Sequence, residues 1–353
     1  FEMRRRLRRS ANLVFATCGG ATRRTLVDQG TAEPFDWVVV EEAAKAWPTE
    51  LALPLVRGLR WTLVGDQAQI GAYARQDVYR FLESCQGDPD AEINAHWERR
   101  ESYLEAFELF AGLFGPGRTK GTTRQLTEQY RMRPAIAEVV SRSFDPGGAD
   151  DHDEAPSLEA GDLRVGTLIT RRADLDHPVV EPRYLAGRAL VWLDTRGVHQ
   201  DRGFWDNETE AGVVARLVRS FRPGPRGHGP RQEGKGYGLA VLTPYRAQVD
   251  LLQRAMPEMA KDVWTIDSFQ GREADVVVLS LVRDTPRANG SPLSSLGHLA
   301  DAPRVNVALS RARDLLVIVG RFDHYATSGV PAWETVCRAV ETFGTVVPVT
   351  EED

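Results

Sequence analysis

Short apolar runs alternate with stretches whose apolar residues recur at helical spacing along nearly all of the 353-residue chain. This alternation predicts βαβ units and parallel sheets. The strand candidates are residues 12–17, 37–40, 61–64, 189–193, 239–243, 263–266, 275–281 and 315–319. Helices are expected over 97–114, 134–143, 208–220, 247–256 and 333–342. The run Asp275-Val-Val-Val-Leu-Ser-Leu-Val282 has strand length and falls short of the roughly 20 apolar residues that a spanning helix needs. No membrane passage is expected, and no fixed-period repeat is visible. Two stretches break the rhythm. Asp145-Pro-Gly-Gly-Ala-Asp-Asp-His-Asp-Glu154 reads as an acidic insertion, and Arg222-Pro-Gly-Pro-Arg-Gly-His-Gly-Pro-Arg231 as a connector with basic punctuation. A boundary is expected near Gly121, after Gly115-Pro-Gly-Arg-Thr-Lys120. It gives domains at 1–121 and 122–353, the second carrying an acidic loop near 145–162. The pattern predicts two α/β layers in tandem, the second complete and the first lacking its opening strand and helix.

Length supports about two domains of roughly 150 residues. With 42% hydrophobic and 27% charged residues, the chain can bury a core rather than stay disordered. The start, Phe1-Glu-Met-Arg-Arg-Arg-Leu-Arg-Arg9, lacks the apolar segment of a secretory leader, and a first residue other than Met raises the expectation of sequence upstream. Cys18, Cys85 and Cys337 are far apart and form no CxxC. That spacing argues for a reducing cytoplasm, with neither a disulfide framework nor a zinc site. The net charge of −6 does not mark a nucleic-acid binder, yet a binding protein needs only a positive groove. Arg4 through Arg9, and Arg216, Arg219, Arg222, Arg226 and Arg231, could line one or could be ordinary solvated surface.

The most informative stretch is Phe35-Asp-Trp-Val-Val-Val-Glu-Glu-Ala-Ala44. An apolar strand there delivers two adjacent acids at its C-terminal end, where open α/β sheets bind ligands. Such a pair suits NTP hydrolysis, one acid holding Mg²⁺ and the next orienting or deprotonating the attacking water. Equally, acids at that place could simply begin the next helix and favour its dipole. Further blocks follow. Leu63-Val-Gly-Asp-Gln-Ala-Gln-Ile70 ends a second strand and brings Asp66 and Gln69 toward the same crevice. After it stand Leu126-Thr-Glu-Gln-Tyr-Arg-Met-Arg-Pro134 and Leu242-Thr-Pro-Tyr-Arg-Ala-Gln248. The last two are Thr265-Ile-Asp-Ser-Phe-Gln-Gly-Arg-Glu273 and Arg304-Val-Asn-Val-Ala-Leu-Ser-Arg-Ala-Arg313.

In this order the blocks resemble motifs II to VI of superfamily 1B helicases. The likeness is strongest to the branch shared by the nonsense-mediated-decay RNA helicase and bacterial AAA-domain DNA helicase-like proteins. Asn12-Leu-Val-Phe-Ala-Thr-Cys18 is similar to the family's Ic strand, and the likeness runs from Asn12 to Gly320. It implies two tandem RecA-like P-loop NTPase domains with parallel sheets, with ATP held between them. It also implies a motor that couples ATP hydrolysis to movement along single-stranded DNA or RNA in the 5′-to-3′ sense. Glu41 takes the position of the Mg²⁺-binding acid, acting through water, and Glu42 that of the catalytic base. Gln69 resembles the γ-phosphate sensor. Arg131 and Arg311 resemble the two arginines that reach the transferring phosphate. Tyr130 is similar to the nucleotide-stacking residue, and Gly271 and Glu273 to contacts with nucleotide phosphate and ribose. Thr17, Thr243, Thr265 and Ser268 fall where the family touches the nucleic-acid backbone.

The chain departs from that pattern twice. Position 41 is Glu where the family has Asp, which lengthens the metal-binding arm. The chain also holds no G-x-x-x-x-G-K-[ST] loop, whose amides and lysine cradle phosphates. Gly112-Leu-Phe-Gly-Pro-Gly-Arg-Thr119 approaches the spacing, with Arg for Lys, but follows a predicted helix and lies on the wrong side of the acid pair. The phosphate loop is therefore expected upstream in a longer protein, or on a partner chain, leaving this stretch inactive alone. A second class of function stays open: a catalytically silent, helicase-derived module that binds nucleic acid or protein. A small-molecule NTPase is a third, disfavoured by the Thr265 to Arg272 block.

Overall fold

The computed structural model describes residues 10–21, 34–104, 128–144, 163–165, 168–172, 178–197, 205–223, 237–285 and 295–350, with a few isolated positions besides. The acidic insertion, the Arg4–Arg9 run and the Gly112-to-Thr119 segment lie outside the described residues. The chain divides between Arg124 and Gln125 into two compact units; the sequence placed this boundary at Gly121.

In the first unit, β1 (Val38–Val40) and β2 (Trp61–Leu63) pair in parallel, with Val39 opposite Thr62. Between them runs α1 (Pro48–Leu55), which the periodicity did not predict. Its signals are at its N-terminus. Pro48 stands where a missing N–H costs nothing, and the Glu50 carboxylate accepts the Trp47 amide at 3.0 Å. Val40, Ala43, Leu51 and Leu55 form the core, with Cys18, Leu63 and Phe107 packed against it. Three helices follow among the described residues, α2 (Arg75–Ser84), α3 (Ala91–Glu98) and α4 (Arg100–Leu104). The helix expected from residue 97 is thus interrupted at Arg99, where the Arg100 guanidinium folds back 4.3 Å above the Trp97 ring. The strand expected over 12–17 does not form. Those residues take no regular structure, and Phe15 is 93% exposed. An apolar run becomes a strand only when a neighbour completes its hydrogen bonds.

The second unit begins with β3 (Glu128–Gln129) and α5 (Pro134–Phe144), then β4 (Leu163–Val165), β5 (Leu168–Thr170) and β6 (Val179–Glu181). After these come β7 (Leu190–Asp194), α6 (Glu208–Ser220), β8 (Arg222–Pro223), β9 (Leu239–Thr243), α7 (Arg246–Ala255) and β10 (Val263–Thr265). The chain continues through α8 (Ile266–Phe269), β11 (Ala274–Ser280), α9 (Ala302–Leu309) and β12 (Ala312–Gly320). It ends in α10 (Phe322–Ala326), α11 (Pro331–Phe343) and β13 (Thr345–Pro348). Six strands make one sheet in the order β10-β9-β11-β12-β7-β13, every pair parallel. Both faces are covered, so β9 reads Leu-Ala-Val-Leu-Thr with every residue buried. Val241, Val276, Val278 and Val317 face one core with residues of α6 and α7. Trp192 packs edge-on against Phe322 and Trp333, at ring centroid distances of 5.1 and 6.0 Å. A small sheet, in which β5 pairs in parallel with β3 and antiparallel with β4, holds the segment that leads into Arg131. No described helix is long and apolar enough to cross a membrane.

A buried polar network ties α6, α7 and the end of β11 together. Asn207 caps α6 by accepting the Glu210 amide at 2.9 Å and donates its own amide to the Val282 carbonyl at 3.2 Å. Gln248 on α7 accepts the Asn207 amide at 2.8 Å and donates to Ser280 Oγ at 3.1 Å. Glu210 accepts from Ser280 Oγ at 2.6 Å and from the Val282 amide at 3.0 Å. Burial pushes the Glu210 carboxyl up to about 8, outweighing the hydrogen bonds that favour its charge. Folded protein therefore keeps a proton that the unfolded chain releases near the usual carboxylate value. The stability this confers is full below that value and is lost as pH rises toward 8, at about 1.4 kcal/mol per unit at most. Urea unfolding followed from pH 5 to 8 should show this slope, and Glu210→Gln should flatten it; an unchanged slope in the variant would rule the linkage out.

Candidate functional site

In the first unit the acid pair stands where β1 ends. Glu41 and Glu42 are both exposed, and Glu42 sits in the left-handed region at φ 54° and ψ 36°, directly before the buried Ala43. The backbone is anchored there because the Ala43 amide donates to the Val64 carbonyl at 2.9 Å. Val64 follows β2, so the two strand ends are tied to each other. Gly65 brings them closer still. A Cβ at that position would lie 2.8 Å from the Ala44 nitrogen and 3.1 Å from the Phe107 ring, so the approach requires glycine. Beyond it Asp66 takes the Ala68 amide at 2.9 Å and the Gln69 side-chain amide at 2.9 Å. Glu41, Glu42, Asp66 and Gln69 thus share the carboxyl edge of one parallel strand pair, the usual ligand-binding edge of such sheets. Thr17 is in the same unit, but its hydroxyl accepts the Gly20 amide at 3.0 Å within a local turn.

In the second unit, segments far apart in sequence meet around Arg131. Its Nε donates to Glu273 at 2.7 Å and its Nη1 to the Ser310 carbonyl at 3.3 Å, one residue before Arg311. Glu273 also receives Arg313 at 3.1 Å. The Arg131 backbone is fixed from two sides. Gln129 Oε1 accepts the Arg131 and Met132 amides at 2.9 and 2.7 Å, and Arg172 donates to the Arg131 carbonyl. Behind this loop the buried Asp314 carboxylate receives Arg133 at 3.1 Å and Arg172 at 2.6 Å. Burial presses the Arg172 guanidinium below its ordinary range, against the pull of Asp314. Arg311 is only 2% exposed; it donates to the carbonyls of Val307 and Arg272 and to Ser310 Oγ.

The remaining candidates fall in different places. Tyr130 is exposed and donates its hydroxyl to Glu128 at 2.9 Å, which raises the phenol pKa. Arg171 and Tyr130 together hold the Glu128 carboxyl below its usual range. Gly271 is exposed at φ 78°, open to solvent, and two residues before Glu273. Thr265 caps α8, its hydroxyl bonded to Ser268 Oγ at 2.9 Å, and Ser268 is exposed. Thr243 differs from the expectation. It is fully buried at the end of β9, its hydroxyl without a hydrogen-bond partner among the described residues, so it offers a strand no surface. Sequence reasoning also passed over Gln129, Arg172, Arg313 and Asp314. Gln129 and Arg313 lie inside quoted blocks, whereas nothing local to Arg172 signals a bond with Asp314.

Among the described residues no group of three or more His, Cys, Asp or Glu side chains is placed to hold a metal. Mg²⁺ in NTP-hydrolysing sites needs only one or two carboxylates, because substrate phosphates and water fill the rest. The exposed carboxylates at the end of β1 fit that demand.

Residues 107–323 match a family described as AAA domain, and residues 2–74 match a second family of the same description. The chain is 27% identical to the DNA replication ATP-dependent helicase/nuclease JHS1 of Arabidopsis thaliana, over 87% of this chain and 20% of that protein. It is 30% identical to the regulator of nonsense transcripts 1 homolog of Arabidopsis thaliana, over 90% of this chain and 22% of that one. It is 26% identical to the DNA-binding protein SMUBP-2 of Mesocricetus auratus, over 88% of this chain and 27% of that protein. The chain therefore spans about a fifth to a quarter of the length of these relatives. Among solved structures, an arterivirus nonstructural protein 10 helicase matches at 17% identity and a TM-score of 0.33, over 85% of this chain and 42% of that one. More than half of the chain falls within one family match, and the ordered motif blocks agree with it: this chain belongs to the AAA-domain family of superfamily 1 helicases.

Proposed function

We propose that this chain is part of an ATP-dependent helicase or translocase motor that moves along single-stranded DNA or RNA, in the 5′-to-3′ sense that the family resemblance implies. The observation that carries the reading is the gathering of Arg131, Glu273 and the Ser310–Arg311 turn around one point of the second unit. Three of the motif blocks contribute to it, and an ordinary surface arginine would not require them to converge. In this reading Glu42 accepts the proton of the attacking water, Glu41 holds Mg²⁺ through water, and Gln69 reports the γ-phosphate. Bound Mg²⁺ would supply charge neutralisation at the phosphates. Arg131 and Arg311 stabilise charge on the transferring group, while Tyr130, Gly271 and Glu273 hold the nucleotide. Thr17, Thr265 and Ser268 serve the strand backbone, and Thr243 serves by packing. The phosphate loop comes from an upstream segment or a partner chain.

The test is ATP turnover by the full-length protein with and without single-stranded oligonucleotides. Stimulation by the strand, and strand affinity that falls steeply with salt as counterions are released, are the expected results. A second reading, a catalytically silent binding module, draws on the burial of Arg311 and on its bonds to backbone carbonyls. Salt-dependent strand binding with no turnover would select it, and turnover indifferent to any strand would sink the motor.

A further inference from the structure

The network around Glu210 does more than fill a core. It forces Val282 to φ 72°, a conformation that a β-branched residue adopts only when its surroundings impose it. Strain of this kind collects where a fold must aim a side chain. Here three side chains adjoin three anchors of the network. Trp205 precedes Asn207 by two residues, Tyr245 precedes Gln248 by three, and Arg283 follows Val282 directly.

These groups meet at the carboxyl ends of β9 and β11. The Trp205 and Tyr245 rings are 5.0 Å apart, inclined at 62°. Arg283 places its guanidinium carbon 5.3 Å from the Trp205 centroid and 5.5 Å from that of Tyr245. His298 completes the set, 4.9 Å from the Tyr245 ring and 6.2 Å from Trp205, with its amide bonded to the Tyr245 hydroxyl at 3.2 Å. The hydroxyl fits only because position 297 is glycine at φ 58°, where a Cβ would lie 2.1 Å from it. Tyr245 is buried, whereas Trp205 is 45% exposed and His298 lies open to solvent. The buried tyrosine fixes the cluster, and the indole and imidazole present aromatic surface beside a cation.

We propose that Trp205 and His298, with Arg283 beside them, form a stacking site for one base of a single-stranded nucleic acid. The inference rests on the motor reading above and adds to it a contact to a base, where the threonine and serine positions address only the backbone. An indole face takes any base that is free of its own duplex, and a neighbouring guanidinium adds cation–π attraction. The site therefore favours single strands and discriminates little among sequences.

The test compares the wild-type full-length protein with Trp205→Ala and Trp205→Phe, binding a fluorescent oligo-dT and the same strand made abasic. Trp205→Ala should weaken oligo-dT binding about tenfold, the scale of one stacked base, while Trp205→Phe keeps most of the affinity. Abasic strand should bind all three proteins alike, and the salt dependence should not change, since no phosphate contact is removed. Thermal unfolding of each variant separates loss of the site from loss of the fold, and the phenylalanine variant preserves the test if alanine destabilises the loop. Oligo-dT affinity of Trp205→Ala equal to wild type, or an equal loss on the abasic strand, overturns the stacking site and leaves the motor reading in place. Failure of the wild-type protein to bind any single strand overturns the motor reading itself.

Discussion

Arg131→Ala is expected to lower strand-stimulated ATP turnover by about 10³–10⁵, the range over which an arginine finger acts. The structure makes this residue the cleaner of the two arginine tests. Its backbone is clamped by Gln129 and Arg172, so the variant loses a guanidinium without freeing the loop. The guanidinium itself is held chiefly by Glu273, in a pair whose side chains are 39% and 42% exposed. An ion pair so exposed is worth about 1 kcal/mol or less, and leaving it for a phosphate costs little. On the proposed reading the lost interaction belongs to the transition state, so kcat and kcat/KM should fall together. Turnover within about tenfold of wild type would remove Arg131 from the mechanism. Arg311→Ala, by contrast, deletes a buried side chain bonded to two carbonyls and a hydroxyl. Its turnover means something only beside an unfolding curve.

Glu42→Gln should reduce the same turnover by about 10²–10⁴, the usual contribution of a positioned base. Glutamine matches the size of glutamate and leaves the Ala43–Val64 hydrogen bond untouched. The side chain is exposed, so stability should move by no more than about 0.5 kcal/mol. Binding of nucleotide and of single strands should persist, because the proposed role of Glu42 is confined to accepting the proton. Retention of wild-type turnover would remove Glu42 as the base and shift attention to its neighbours.

Where packing dominates, the chain announces its structure. Residues 208–220 and 239–243 were expected as a helix and a strand and take those bounds, one through its Asn207 cap and apolar spacing, the other through an uninterrupted apolar run. Residues 12–17 show the limit of the same signal, since an apolar run cannot say whether a partner strand is beside it. The helix Pro48–Leu55 went unforeseen because its evidence is a proline and a carboxylate at one end rather than a periodic face. At the candidate site, the blocks named Arg131, Glu273 and Arg311, but not that Glu273 would grip Arg131 and Arg313 while Arg311 turned inward. Short-range pattern fixes which residue types occur. Which guanidinium reaches which carboxylate depends on contacts such as Arg172 with Asp314, which no local spacing encodes.

Asp314 serves two cations at once, and that gives the second unit a mechanical property. The aspartate follows Arg313 directly in the chain; through Arg172 it is coupled to the carbonyl of Arg131, and it binds Arg133, two residues after Arg131, whose amide donates to the Arg313 carbonyl at 3.0 Å. Removing one partner of such a buried pair costs about 3–5 kcal/mol, so the assembly resists being pulled apart. Arg131 and Arg313 consequently ride on a common chassis. Both guanidiniums also meet on the Glu273 carboxylate, so an anion that replaces that carboxylate at Arg131 finds Arg313 beside it.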